Sequence, residues 1–178
     1  MQNFMQYNQR IIEFFKKYNL YQKELFDYLQ HHTWGVCYVD PDEARLINTY
    51  FFNNKFNNKL TGFLMVIPDQ TSDITMFVQV HEIAHGIMGY KYLGKKYPDD
   101  LHEVLPFMVE KLYVNEVNDD RVSDYSKYLD SKIDEDTILK YRFALAARDE
   151  LLDGFDGNLD KIDKQSKLLL RKYKKEHK

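Results

Sequence analysis

Residues 81–85 read His-Glu-Ile-Ala-His. On a helix, positions i and i+4 share a face, so the imidazoles of His81 and His85 point the same way. Neutral imidazole is a preferred zinc ligand. The glutamate that follows the first histidine, Glu82, can reach a metal-bound water without being a ligand itself. Zinc lowers the pKa of such a water to about 7, and a neighbouring carboxylate can take its proton as the water attacks a carbonyl. The pattern points to hydrolysis of peptide bonds with Zn2+ as the cofactor.

A catalytic zinc uses three protein ligands and keeps a fourth position for water. No third histidine follows His85 at the HExxHxxGxxH spacing, so an acid further along must complete the set. The segment LHEVLPFMVEKLY offers Glu103 and Glu110, which share a helical face. Glu103 is the favoured ligand, with Glu110 orienting a ligating histidine. The exchange of these two roles stays open. Pro106 falls near the first turn of that helix, where a proline is tolerated.

These groups need rigid elements to hold them. Phe4, Ile11, Ile12, Phe15 and Tyr18, then Leu25, Phe26 and Leu29, recur at helical spacing and predict one long or two shorter helices before His32. WGVCYVD, ARLINTYFF and TGFLMVIPD are rich in β-branched and aromatic residues and read as two or three short strands. A turn at Asp40-Pro41-Asp42 and a loop in NNKFNNK separate them. Ser72 or Asp73 can cap a helix that carries HEIAH to about Tyr90. Further helices are expected near Leu101 to Asn115, over ILKYRFALAARDELL and along the charged C-terminal segment. The expected fold class is mainly α with a small antiparallel β-sheet (α+β).

With 178 residues and 44% hydrophobic content, the chain suits a single domain over residues 1–178. A net charge of −3 gives no reason to expect a nucleic-acid partner. Cys37 is the sole cysteine, which excludes an internal disulfide and a thiolate zinc cage. The start, MQNFMQYNQRIIEFF, lacks the apolar core and cleavage site of a signal peptide. No apolar run reaches the ~20 residues that span a bilayer, so no stable membrane insertion is expected. The chain reads as cytoplasmic. Its expected partner is a peptide substrate, and its oligomeric state is open. Asp134-Glu135-Asp136 lacks the spacing of a calcium loop and reads as a solvated turn, and the basic residues from Lys167 onward as a solvated helix end.

HEIAHGI followed by HEVLPFMVE resembles the thimet-oligopeptidase family of zinc peptidases, including its oligoendopeptidase F branch. The likeness covers roughly residues 34 to 157. It implies a zincin-like catalytic core with a HExxH helix and a following glutamate helix, a gluzincin reduced to a minimum. It also implies hydrolysis of oligopeptides or unstructured segments. On this resemblance Tyr141 matches a tyrosine that stabilises the oxyanion, while Phe143 stands where a second tyrosine is expected. The strand GFLMVIPD resembles the edge strand before the metal helix. Phe63, Leu64, Met65, Val66 and Ile67 would then pair with extended substrate backbone.

Two other readings use the same residues. One is a regulatory HExxH metallopeptidase that cleaves a dedicated repressor-type partner. The other is a non-catalytic zinc- or peptide-binding protein, whose site a fourth ligand such as His102 or Asp99 would close.

Overall fold

The computed structural model describes residues 9–39, 50–54, 59–68, 73–92, 95–133 and 138–177, and of the strands the backbone path. In chain order the elements are α1 (Gln9–Lys17), α2 (Lys23–His32), β1 (Thr33–Val39), β2 (Tyr50–Asn54), β3 (Lys59–Pro68) and α3 (Asp73–Lys91). A 3₁₀ turn at Asp99–Leu101 leads into α4 (Val104–Val117), then α5 (Asp120–Ser131), α6 (Leu139–Leu152) and α7 (Leu159–Glu176). The turn at Asp40-Pro41-Asp42, residues 55–58 of the expected NNKFNNK loop, Ser72 and Asp134-Glu135-Asp136 lie outside the described residues, while Asn53 and Asn54 end β2 and Lys59 begins β3.

Two kinds of helix build the body. The first is amphipathic: α1 buries Ile11, Phe14 and Phe15 and leaves its lysines in water. The second is buried on every side over much of its length. In α3 every residue from Met76 to Ala84 is buried, and in α4 every residue from Val104 to Glu110. A helix without a polar face belongs in the interior. These two pack against each other, and α4 packs in turn on α6. Leu105, Val109 and Tyr113 of α4 enter the core formed with α1, α2 and α3, while Val104, Phe107 and Met108 enter a second core formed with α6 and α7. One central helix thus joins both cores.

Local chemistry sets the boundaries. Asp119 caps α5 by accepting from the Arg121 amide at 2.8 Å. Asn158 caps α7 by accepting from the amides of Asp160 and Lys161. Asn118 ends α4 in the left-handed conformation, with φ 48°. Pro106 stands in the first turn of α4, where its missing N–H breaks no intrahelical bond. Among the described residues no helix is long and apolar enough to cross a membrane.

The α+β expectation with a small antiparallel sheet is overturned. Every side chain described as buried sits on a helix or beside one, so among the described side chains the packed body is all-helical. The strand segments do not form an antiparallel sheet either: their order is β1-β3-β2, and β1 runs parallel to β3. Only β2 and β3 are antiparallel, with Phe51 opposite Phe63. Side-chain alternation marks a strand but carries no information about its neighbours or their direction. The order also corrects the edge-strand expectation. Phe63 and Leu64 are paired on both sides, so their backbone is closed to a substrate strand. Met65, Val66 and Ile67 pair with β1 on one side and, among the described residues, have no partner on the other.

The loop from α6 to α7 closes on the end of α1. Gly157 has φ 83°, and a Cβ there would stand 2.5 Å from Asn19 Cβ and from the Tyr18 carbonyl oxygen. Gly154 has φ 67° but open space around it. Gly154→Ala therefore carries only the left-handed penalty, about 1 kcal/mol. Gly157→Ala adds overpacking and is expected to cost roughly 2–4 kcal/mol. Urea midpoints of both variants measure this; equal losses would remove the packing role of Gly157.

Candidate metal centre

The helical period of α3 brings His81 and His85 together, with Nε2 atoms 3.2 Å apart and ring centroids 4.9 Å apart. The start of α4 supplies Glu103. This residue occupies the N-cap position, yet its carboxylate makes no capping hydrogen bond. It turns instead to the histidines, with Oε2 at 3.4 Å from His85 Nε2 and 3.6 Å from His81 Nε2. Glu103 Oε2 is buried and has no hydrogen-bond partner among the described residues. His81, His85 and Glu103 are a group able to hold a metal ion. Among the described residues they form a three-membered group.

Glu110, two turns further along α4, reaches the other side of His81. Its Oε1 accepts from His81 Nδ1 at 2.8 Å. An ionised carboxylate can only accept, so the Nδ1 must carry hydrogen. The Nε2 of the neutral ring is then a lone pair aimed at Glu103 and His85, the form a metal needs. The turn before α4 is held from outside: the Tyr97 hydroxyl donates to the Leu101 carbonyl at 2.9 Å, and its ring lies against His102. His102 and Asp99 face each other at 3.9 Å on that turn and are not part of the three-membered group.

Charge is concentrated here. Glu82 is 3% exposed, and Glu103 and Glu110 are each 2% exposed. Burial pushes the Glu82 carboxyl up to about 8, with Glu103 and Glu110 adding to it against His81. Glu82 Oε2 is buried without a hydrogen bond among the described residues. Burial would also raise Glu103, but His85, His81 and Lys140 overcome it and hold this carboxyl well below the usual range. Burial keeps His85 below the ordinary imidazole value. It opposes charge on His81 as well, yet Glu110 outweighs it and raises the proton affinity of that ring. A metal at Nε2 therefore competes with a proton. Several buried carboxylates around neutral imidazoles favour a cation between them.

Tyr141 of α6 comes near through an aromatic chain: Phe107 lies 6.2 Å from His81 and 6.4 Å from Tyr141, centroid to centroid. Sequence reasoning missed Lys140, whose Nζ lies 3.1 Å from Glu103 Oε1. Its local signal is only one lysine among several charged residues of α6. No family model, curated protein or solved structure matches this chain.

Removing a ligand and removing a support should differ in degree. Titration calorimetry with Zn2+ is expected to show binding abolished in His85→Ala and Glu103→Ala. Glu110→Ala should keep the site and bind about 10- to 100-fold more weakly. Unchanged affinity in Glu103→Ala would remove that residue from the ligand set.

Proposed function

We propose that this chain is a zinc-dependent peptidase that hydrolyses oligopeptides or unstructured segments, as the resemblance of its motifs to the thimet-oligopeptidase family implies. One observation carries the reading: the mutual spacing of the three candidate donor atoms. Bonds of 2.0–2.1 Å in a tetrahedron put neighbouring ligand atoms ~3.3–3.4 Å apart. The separations here are 3.2, 3.4 and 3.6 Å. Two imidazoles and a carboxylate also suit zinc chemically. A set of three among the described residues supports the catalytic kind of site; the structural kind closes with four protein ligands.

Zinc held by His81, His85 and Glu103 would supply a Lewis acid that lowers the pKa of a water to about 7. The remaining work falls to the chain. Glu82 takes the proton of the attacking water and returns it to the leaving amine nitrogen. Its buried, unpaired oxygen suits that exchange, since burial raises its proton affinity. Glu110 fixes the tautomer and orientation of His81 through its hydrogen bond to Nδ1. Tyr141 is the candidate donor to the oxyanion. Met65 to Ile67 pair with β1 on one side and, like the outer sides of β1 and β2, have no partner on the other among the described residues, so they could meet extended substrate. The single cysteine suits a reducing, cytoplasmic setting.

The test is zinc content together with turnover of a mixed pool of quenched peptides, on wild type and Glu82→Gln. Both proteins should carry one zinc per chain. Cleavage by the variant should fall by about 10²–10⁴-fold, the usual weight of a general base. Undiminished cleavage by Glu82→Gln, or none by zinc-loaded wild type, would refute the proposal.

A further inference from the structure

We propose that Lys140 is a positioning residue that keeps Glu103 a one-oxygen metal ligand. The inference rests on the metal-centre reading above and goes beyond it to a residue on a third helix. The two oxygens of Glu103 have different surroundings. Oε1 faces the Lys140 ammonium at 3.1 Å. Oε2 faces the two imidazole Nε2 atoms and takes no hydrogen bond among the described residues. A carboxylate that binds through both oxygens fills two coordination positions. One that binds through a single oxygen leaves a position open, which a hydrolytic site needs for water. The ammonium competes for Oε1 with a charge-assisted hydrogen bond and so divides the carboxylate between two partners.

Lys140 is itself restrained. It sits in the first turn of α6, its side chain is 22% exposed, and its Nζ lies 4.7 Å from the centroid of the Tyr141 ring. Because α6 packs on α4, the ammonium and the carboxylate are carried by two elements in direct contact. Glu103 would thus be fixed from three directions: by the turn of chain before α4, by the imidazoles of α3 and by Lys140 of α6.

The experiment loads wild type, Lys140→Met and Lys140→Arg with Co2+. It records the visible absorption of the bound ion and its affinity by competition with a chelator. Four-coordinate Co2+ absorbs more strongly than five-coordinate Co2+, so the spectrum reports how many oxygens bind. Wild type should give the strong four-coordinate bands. Lys140→Met should give weaker five-coordinate bands and about 10- to 100-fold lower affinity. Lys140→Arg, which keeps the cation, should stay near wild type. A wild-type spectrum and affinity in Lys140→Met would overturn the role of Lys140 and leave the metal centre standing. Lys140→Gln carries the same comparison if the Met variant does not fold. A wild type that binds no Co2+ would overturn the metal-centre reading and this inference with it.

Discussion

Withdrawing three carboxylates from water at one helix junction is the constraint on which the rest of this fold depends. Glu82, Glu103 and Glu110 are all buried where α3 meets α4. An uncompensated buried charge costs several kcal/mol even after the protein relaxes. Each acid therefore has to find positive charge, a hydrogen-bond donor or a proton. Glu110 takes the Nδ1 hydrogen of His81, and Glu103 takes Lys140. Glu103 also gains from its place at the start of α4, where unsatisfied amides leave partial positive charge. Glu82 has no such donor on its Oε2 and holds its proton more tightly instead. Metal binding would answer the remaining demand for positive charge.

The same constraint explains why the acids of α3 and α4 are set among apolar side chains. Polar groups packed among these acids would bring water and screen the interactions that hold them. Instead Phe77, Val80, Ile83 and Ile87 of α3 and Leu105, Phe107 and Val109 of α4 seal the junction, all without exposure. In such surroundings a hydrogen bond to a carboxylate is stronger and its loss more costly than at a surface. The two cores that meet on α4 thus fix the acids before any ligand arrives.

Much of this arrangement is legible in the chain because it is local. The helical period alone brings His81 and His85 onto one face and sets Glu82 beside them. Glu103 and Glu110 are legible as a pair, but not in their division of labour. That division turns on where α4 begins, and three residues decide it. A helix from Leu101 would put Glu103 inside the first turn; the start at Val104 puts it at the cap, free to turn toward α3. Strand existence follows from composition, whereas strand order depends on contacts between distant segments. The antiparallel expectation failed there, and so did the edge role of Phe63 and Leu64. Lys140 is illegible for the same reason. It is separated from Glu103 in sequence by all of α4 and α5, and only the packing of α6 on α4 joins them.

The close approach of Gly157 to Tyr18 and Asn19 also has a bearing on how the chain acquires its shape. Asn19 donates to the Asp156 carbonyl at 3.3 Å, a bond between residues near opposite ends of the sequence. Contacts of such separation require a large loop to close and slow the search for the native state. During synthesis α1 emerges well before the segment that receives it. Until Gly157 leaves the ribosome, Tyr18 and Asn19 at the end of α1 lack this contact. The last turn between helices therefore completes the fastening of one of the earliest.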